Sequence, residues 1–233
     1  MIDFHTHILP GMDDGSRDTA ESLEMLRRSQ AQGVDTVVLT PHFYARRESI
    51  ADFCIRRQTA YEALRQAQDG ETLPALFLGA EVRYFEGMTR ADDLQKLCIG
   101  SYLLVEMPFE PWSRRTVQEV QNLPAARGIT PILAHIERYM ALPHWEEAVK
   151  ELTAGGCLLQ MNAEAFLGPL RGRRARGLLR QGWADLLGSD CHNTTSRPPN
   201  LGEIRRRLEG KTEDEIFQGI DCLGMQILHS AGA

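Results

Sequence analysis

Nine side chains with metal-ligand chemistry recur at comparable places along the chain. The first two are His5 and His7, in Asp3-Phe4-His5-Thr6-His7. In an extended strand, residues two apart point the same way, so both imidazoles face one site, as metal ligands must. Asp13-Asp14-Gly15 follows in the next loop, and Thr40-Pro41-His42 closes a second apolar run. Further runs end at Gly79-Ala80-Glu81, Val105-Glu106, Ala134-His135 and Gly188-Ser189-Asp190-Cys191-His192. The candidate ligands are therefore His5, His7, Asp14, His42, Glu81, Glu106, His135, Asp190 and His192. Nine is too many for one ion with about four to six ligands, whereas two or three ions sharing a bridging carboxylate would use them all. His144 and His229 lie in helical stretches away from strand ends and read as structural or surface residues.

The elements that must position these ligands can be traced. Seven short apolar runs, Ile2–His5, Val34–Thr40, Leu76–Glu81, Tyr102–Met107, Ile129–His135, Cys157–Asn162 and Ala184–Gly188, are each bounded by Gly, Pro or charge, as buried parallel strands should be. Helices fit between them. Asp18-Thr19-Ala20-Glu21 is a capping box, with Leu23 and Leu26 beginning an apolar face and Gly33 a plausible stop. Phe53, Tyr61 and Leu64 mark a second helix. Trp145, Val149 and Leu152 share a face ended by Gly155-Gly156, and Thr212-Glu213-Asp214-Glu215 reads as a second capping box. Strands alternating with helices predict a parallel α/β architecture, open sheet or barrel. The open doubly wound sheet is weakened because no glycine-rich turn follows the first strand. In a barrel all strand C-termini lie on one face, and six of the seven runs end in His, Asp or Glu.

Composition excludes several classes. The formal net charge of −6 gives no overall field to hold nucleic acid. No run of 18 apolar residues spans a membrane, and the N-terminus has no signal-like basic flank and apolar region. The five cysteines form no CxxC pair and read as free thiols in a reducing cytoplasm.

Together, Asp3-Phe4-His5-Thr6-His7, Asp13-Asp14-Gly15, Thr40-Pro41-His42, Ala134-His135-Ile136-Glu137-Arg138 and Ser189-Asp190-Cys191-His192-Asn193 resemble the bacterial polymerase-and-histidinol-phosphatase (PHP) superfamily. The similarity runs from Met1 to about residue 228 and is nearest to the capsule and exopolysaccharide branch of manganese-dependent protein-tyrosine phosphatases. The resemblance implies one domain over residues 1–233, a distorted (β/α)7 barrel with its metal site at the C-terminal ends of the strands. It implies three ions: one held by His5, His7, Glu81 and Asp190, a second bridged by Glu81 with Glu106 and His135, and a third on Asp14, His42 and His192. Acids at positions 14 and 106, where histidine often stands in the superfamily, point to the tyrosine-phosphatase branch and favour a hard ion such as Mn²⁺, with Fe or Zn as alternatives. Arg138 and Arg197 match the family's phosphate-contacting arginines. The implied substrate is a phosphotyrosine-bearing protein, the tail of a bacterial tyrosine autokinase, in the cytoplasm. A PHP phosphoesterase for a small metabolite such as histidinol phosphate is the alternative.

Two signals compete. Cys191 and Arg197 satisfy C-x5-R, the signature of cysteine-dependent phosphatases. With 5 cysteines and 23 arginines in 233 residues, chance supplies such a match about half the time. The five residues between contain no Gly to wrap backbone N–H groups around a phosphate. Cys191 is therefore expected to be a wall residue. Arg171, Arg173, Arg174, Arg176 and Arg180 form a basic run that reads as a solvated helix face or as a dock for an acidic tail. In the loop Pro108-Phe109-Glu110-Pro111-Trp112, Trp112 is either a wall for an aromatic substrate or a packing residue, and Met25, Met107 and Met161 are expected in the core.

Overall fold

In the computed structural model, residues 1–208 and 210–231 are described. The single domain expected over 1–233 also includes Glu209, Gly232 and Ala233, which lie outside the described residues. The strands are β1 (Ile2–Thr6), β2 (Thr36–Leu39), β3 (His42–Phe43), β4 (Ala75–Leu78), β5 (Glu81–Arg83), β6 (Tyr102–Glu106), β7 (Thr130–Leu133), β8 (Leu158–Asn162) and β9 (Leu186–Gly188). All pair in parallel, in the orders β1-β2-β4 and β3-β5-β6-β7-β8-β9.

The second and third apolar runs are each followed, after a break, by a further short strand, β3 and β5. Pro41 separates β2 from β3, because proline has no N–H to give the ladder. Gly79 and Ala80 separate β4 from β5. The ladder continues across the breaks through Gly79 N–H to Leu39 O (2.9 Å) and Glu81 N–H to Pro41 O (3.0 Å). The end of β9 returns to β1 through Asp190 N–H to His5 O (2.8 Å) and His7 N–H to Cys191 O (2.9 Å). The result is a curled parallel sheet with its strand ends gathered on one side, in keeping with the distorted barrel expected.

The helices are α1 (Thr19–Ala31), α2 (Ile50–Ala67), α3 (Arg114–Gln121), α4 (Leu123–Arg127), α5 (Trp145–Ala154), α6 (Pro169–Arg180), α7 (Leu201–Leu208) and α8 (Lys211–Ala231). Asp18 caps α1 by accepting from Glu21 N–H (2.9 Å), but the Glu21 carboxylate takes the Arg17 N–H and not that of the cap. The second capping box does not form as read. Helix α8 already includes Lys211, so Thr212 is inside it; separately, Glu213 pairs with Arg180 of α6 (2.6 Å). On α5, Trp145, Val149 and Leu152 are all buried, as their i, i+4, i+7 spacing requires. Met25, Met107 and Met161 are core residues.

Ile2, Phe4, Val38, Leu104, Ile132 and Leu186 come from strands that are not all neighbours, yet form one cluster with Ile227 and Leu228 of α8. That cluster fills the curl of the sheet, and α8 covers it. Leu104 and Glu106 are two apart on β6, so the residue that packs this interior aims the carboxylate to the same side. Burying a side chain such as Leu104 contributes about 1.5–3 kcal/mol, which helps hold the strand end where the ligand is needed. No helix among the described residues is long and apolar enough to cross a membrane.

Candidate metal centre

The strand ends bring all nine candidate ligands to one basin. Glu81, at the start of β5, is its centre. Its Oε2 lies 3.2 Å from His5 Nε2, 3.3 Å from His7 Nε2 and 2.9 Å from His42 Nδ1, and its Oε1 lies 2.9 Å from His135 Nε2. His135 also faces Glu106 at 3.6 Å. Asp190 Oδ1 is 3.3 Å from His7 Nε2 and 3.6 Å from His5 Nε2. At the outer edge, Asp14 is 70% exposed and sits 3.7 Å from His42 and 3.6 Å from His192. Three sets could each hold an ion: His7, Asp14, His42 and His192; His5, His7 and Glu81; and His42, Glu81 and Glu106. His7, His42 and Glu81 each belong to two of them.

The imidazoles are held in one orientation by groups behind them. His7 Nδ1 donates to Asp13 Oδ2 (2.7 Å), His5 Nδ1 to Gln160 Oε1 (3.1 Å), and His192 Nδ1 to the Asp190 carbonyl (2.9 Å). With each Nδ1 occupied as a donor, the Nε2 lone pair is left for the basin. The Nε2 atoms of His5 and His7 approach to 3.2 Å, both turned inward. His135 Nδ1 and His192 Nε2 are buried without a hydrogen-bond partner, and His42 Nδ1 and Glu81 Oε2, though 2.9 Å apart, do not meet in hydrogen-bond geometry. Buried polar atoms are rarely left so, and coordination to cations would satisfy those that face the basin. The donor set of imidazole nitrogens and carboxylate oxygens fits divalent ions.

Charge leads to the same reading. Burial alone would raise the pKa of Glu81, but His5, His135 and His42 hold it well below the usual carboxylate range. Asp190 is likewise held low against burial by His5, His7 and Arg138. Burial would lower His7, yet Asp13, Asp190 and Glu81 outweigh it and keep its pKa well above normal. Glu106 and Glu81 similarly outweigh burial at His135 and push it up to about 9. His192 falls to about 4, first through burial and then through repulsion from His7. The carboxylates are thus balanced by protons on imidazoles, and cations can replace those protons with the same compensation.

Several contributors carry no ligand-like signal in the sequence. Asp13, beside the candidate Asp14, fixes His7 and also accepts from His42 N–H (2.8 Å) and Gly15 N–H (2.9 Å). Its Asp-x-Gly spacing is a local turn signal that could have marked it. Gln160 Oε1 takes both His5 Nδ1 and His135 N–H (2.8 Å), and Asn162 donates to Asp190 Oδ2 (2.7 Å). These two amides end β8, the run with no acidic or imidazole terminus, so the same strand-end rule extended to amides would have found them. Two close approaches require glycine. A Cβ on Gly15 would lie 2.2 Å from His7 O, and one on Gly188 would lie 2.5 Å from His5 Cβ.

Arg138 and Arg197 flank the basin, about one third exposed, and both pair with Asp190 Oδ2; for Arg197 the distance is 2.7 Å. One carboxylate oxygen therefore faces the imidazoles and the other anchors two guanidinium groups. The short helical turn after β7 (Ile136–Tyr139) carries Arg138, and it begins at His135 in the left-handed region (φ 35°). Asp190 is also left-handed (φ 53°), so the segment through Cys191 is not the uninterrupted extended strand that simple alternation would give. Backbone held in such regions concentrates where a site over-determines it.

Cys191 is fully buried in the main apolar core, and burial, with Asp3 adding to it, pushes its thiol far above the range in which a thiolate forms. The C-x5-R match is accordingly not a nucleophile site. Cys191→Ala should retain most activity, within about tenfold in kcat; a loss above about a thousandfold with metals still bound, or a trapped phosphocysteine, would reverse that conclusion. Trp112 is a packing residue: its Nε1 donates to Pro108 O (2.9 Å), and its ring meets Tyr139 edge-on. Phe109 is the exposed aromatic of this loop (47%), stacked 5.7 Å from the His135 ring with Arg83 above it. His144 and His229 are exposed and away from the basin.

Comparison with known proteins agrees with the fold. The chain matches the family described as capsular polysaccharide synthesis, CpsB/CapC, over residues 1–227. It is 32% identical over 238 residues to tyrosine-protein phosphatase CpsB of Streptococcus pneumoniae, covering 93% of this chain and 95% of that one. It is 32% identical over 225 residues to tyrosine-protein phosphatase YwqE of Bacillus subtilis (strain 168), with 93% and 87% covered. A solved structure described as YwqE from Bacillus subtilis and CpsB from Streptococcus pneumoniae, metal-dependent tyrosine phosphatases, superposes with TM-score 0.78 at 23% identity over 99% of this chain and 95% of that one. A histidinol phosphate phosphatase from Lactococcus lactis shares the fold at TM-score 0.52 and 12% identity, with 99% and 93% covered. On the strength of the family match over nearly its full length, this chain belongs to the CpsB/CapC family.

Proposed function

We propose that this protein is a metal-dependent phosphatase that hydrolyses phosphotyrosine on a protein, with Mn²⁺ as its ion and a bacterial tyrosine autokinase controlling capsule or exopolysaccharide synthesis as its cytoplasmic substrate. The observation that carries the reading is the set of imidazoles locked through Nδ1, with their Nε2 atoms turned onto Glu81 and Asp190 and two guanidinium groups beside them. The family relatives named as tyrosine-protein phosphatases support it.

The residues divide the work. His5, His7, Glu81 and Asp190 would hold one ion, Glu81 would bridge to a second with Glu106 and His135, and Asp14, His42 and His192 would hold a third. Glu81, Glu106 and Asp190 would repel a phosphomonoester dianion, and cations taking the place of the imidazole protons would offset that charge and leave positive charge over for the phosphate. When bound, such cations neutralise the dianion and bring the pKa of water toward neutrality. Arg138 and Arg197 each have N–H donors left over from Asp190, and in the transition state these can take the equatorial phosphate oxygens in charge-assisted hydrogen bonds. Hydrolysis forms a bond from water oxygen to phosphorus and breaks the bond to the phenol. A tyrosine leaves with a pKa of about 10, so no strong general acid is required of the chain.

Phe109 gives the aromatic leaving group a wall. Phe109→Ala should lower kcat/KM for phosphotyrosine peptides about 3–10-fold, the size of one lost aromatic contact, while leaving a small alkyl phosphate nearly unchanged. Equal losses on both would show that Phe109 acts through packing. The substrate class itself is tested by comparing kcat/KM of the Mn²⁺-loaded protein on a phosphotyrosine peptide and on histidinol phosphate. A clear preference for the peptide is expected, and a preference for histidinol phosphate would overturn the reading.

A further inference from the structure

The basic run on α6 divides between two faces. Residues three apart lie side by side on a helix, which places Arg171 with Arg174 and Arg173 with Arg176, and Arg180 continues the second row. The second face is partly compensated: Glu213 of α8 pairs with Arg180 at 2.6 Å and with Arg176 at 3.5 Å. Among the described residues, Arg171 and Arg174 form no ion pair, and both are exposed.

These two arginines also line a cavity of about 200 Å³ together with Arg138, Met140, Ala141 and Ala165. Arg138 is the residue whose guanidinium pairs with Asp190 at the metal basin. The cavity therefore adjoins the basin through a shared side chain. Its one lining acid, Glu137, accepts from Asn162 N–H (3.2 Å), and Arg138 is already paired with Asp190, so Arg171 and Arg174 are the cations left for a ligand there.

We propose that this cavity is a second anion subsite, in which Arg171 and Arg174 receive a carboxylate or phosphate side chain flanking the phosphotyrosine of a protein substrate. The inference rests on the phosphatase reading above. An extended peptide advances about 3.3–3.6 Å per residue, so with the phosphate beside Arg138 a side chain one or two residues away reaches the neighbouring cavity. Planar guanidinium groups suit both carboxylate and phosphate, and the unpaired face pays no cost of breaking an existing ion pair.

The test uses the Mn²⁺-loaded full chain and peptides with one phosphotyrosine, flanked by Ala, Glu, phosphoserine or Lys. The wild-type protein should favour Glu and phosphoserine over Ala by about 3–10-fold in kcat/KM, the size of one or two exposed charge pairs, and disfavour Lys. A larger effect for phosphoserine would identify phosphate as the better ligand, and equal effects a generic anion. In the double variant Arg171→Glu/Arg174→Glu the order should reverse, while para-nitrophenyl phosphate, which has no flanking side chain, serves as reference. No preference in the wild type, an unchanged preference in the variant, or an equal fall on para-nitrophenyl phosphate would overturn the subsite. Failure of the wild type to hydrolyse any phosphomonoester would instead sink the phosphatase reading. Fluorescence anisotropy with the same labelled peptides would then still decide the subsite, by whether acidic flanks bind more tightly and lose that advantage in the variant.

Discussion

Glu81→Ala should be the most damaging single substitution in the site, lowering kcat/KM on para-nitrophenyl phosphate by more than about a hundredfold and releasing bound metal. Outer-shell partners typically cost about 10–100-fold when lost, and Glu81 is not an outer-shell group: its two oxygens lie within 3.3 Å of four imidazoles. Removing it leaves His5, His7, His42 and His135 facing one another with their shared acceptor gone. Glu106→Ala should be milder, because Glu106 belongs to one of the three ligand sets where Glu81 belongs to two, and one of its oxygens is already paired with Arg83 at 2.8 Å. Metal content and kcat/KM measured side by side on both variants check the order. A Glu81→Ala protein that kept the wild-type metal content would rule out the bridging position.

Arg138→Ala should reduce kcat by roughly 30- to 1,000-fold while leaving metal content unchanged. Losing one preorganised donor in the transition state costs about 2–4 kcal/mol, which is that range in rate. Metal should be retained because Arg138 touches Asp190 through Oδ2, whereas Oδ1 is the oxygen turned to His5 and His7. Asp190 Oδ2 also keeps Arg197 and Asn162 in the variant, so its carboxylate stays oriented. Loss of metal on this substitution would mean that Arg138 acts by positioning Asp190 and not on phosphate.

The sequence carried the fold and the ligand basin because both follow from period and position. Apolar runs separated by amphipathic stretches announce parallel strands, and polar residues at their ends announce a site on one face. His5 and His7 share a face of β1 for the same reason that Leu104 and Glu106 share one of β6. What was less visible depends on contacts between distant segments. The breaks at Pro41 and Gly79-Ala80 set off two short strands, β3 and β5, at the ends of the second and third apolar runs. Thr212 is not a cap because α8 already includes Lys211, a boundary that local spacing does not show. Gln160 and Asn162 look like ordinary strand residues until β8 is laid beside β9 and β7. Asp190 accepts two arginines that are 52 and 7 residues away in the chain, so its double role is a product of the fold.

The central claim is that catalysis on phosphotyrosine depends on cations held by the strand-end ligands. It is tested most directly by measuring kcat/KM on a phosphotyrosine peptide after complete removal of metal, verified by elemental analysis, and again after adding Mn²⁺. Activity should be abolished in the stripped protein and restored by Mn²⁺. Full activity in protein verified to be free of metal would contradict the account.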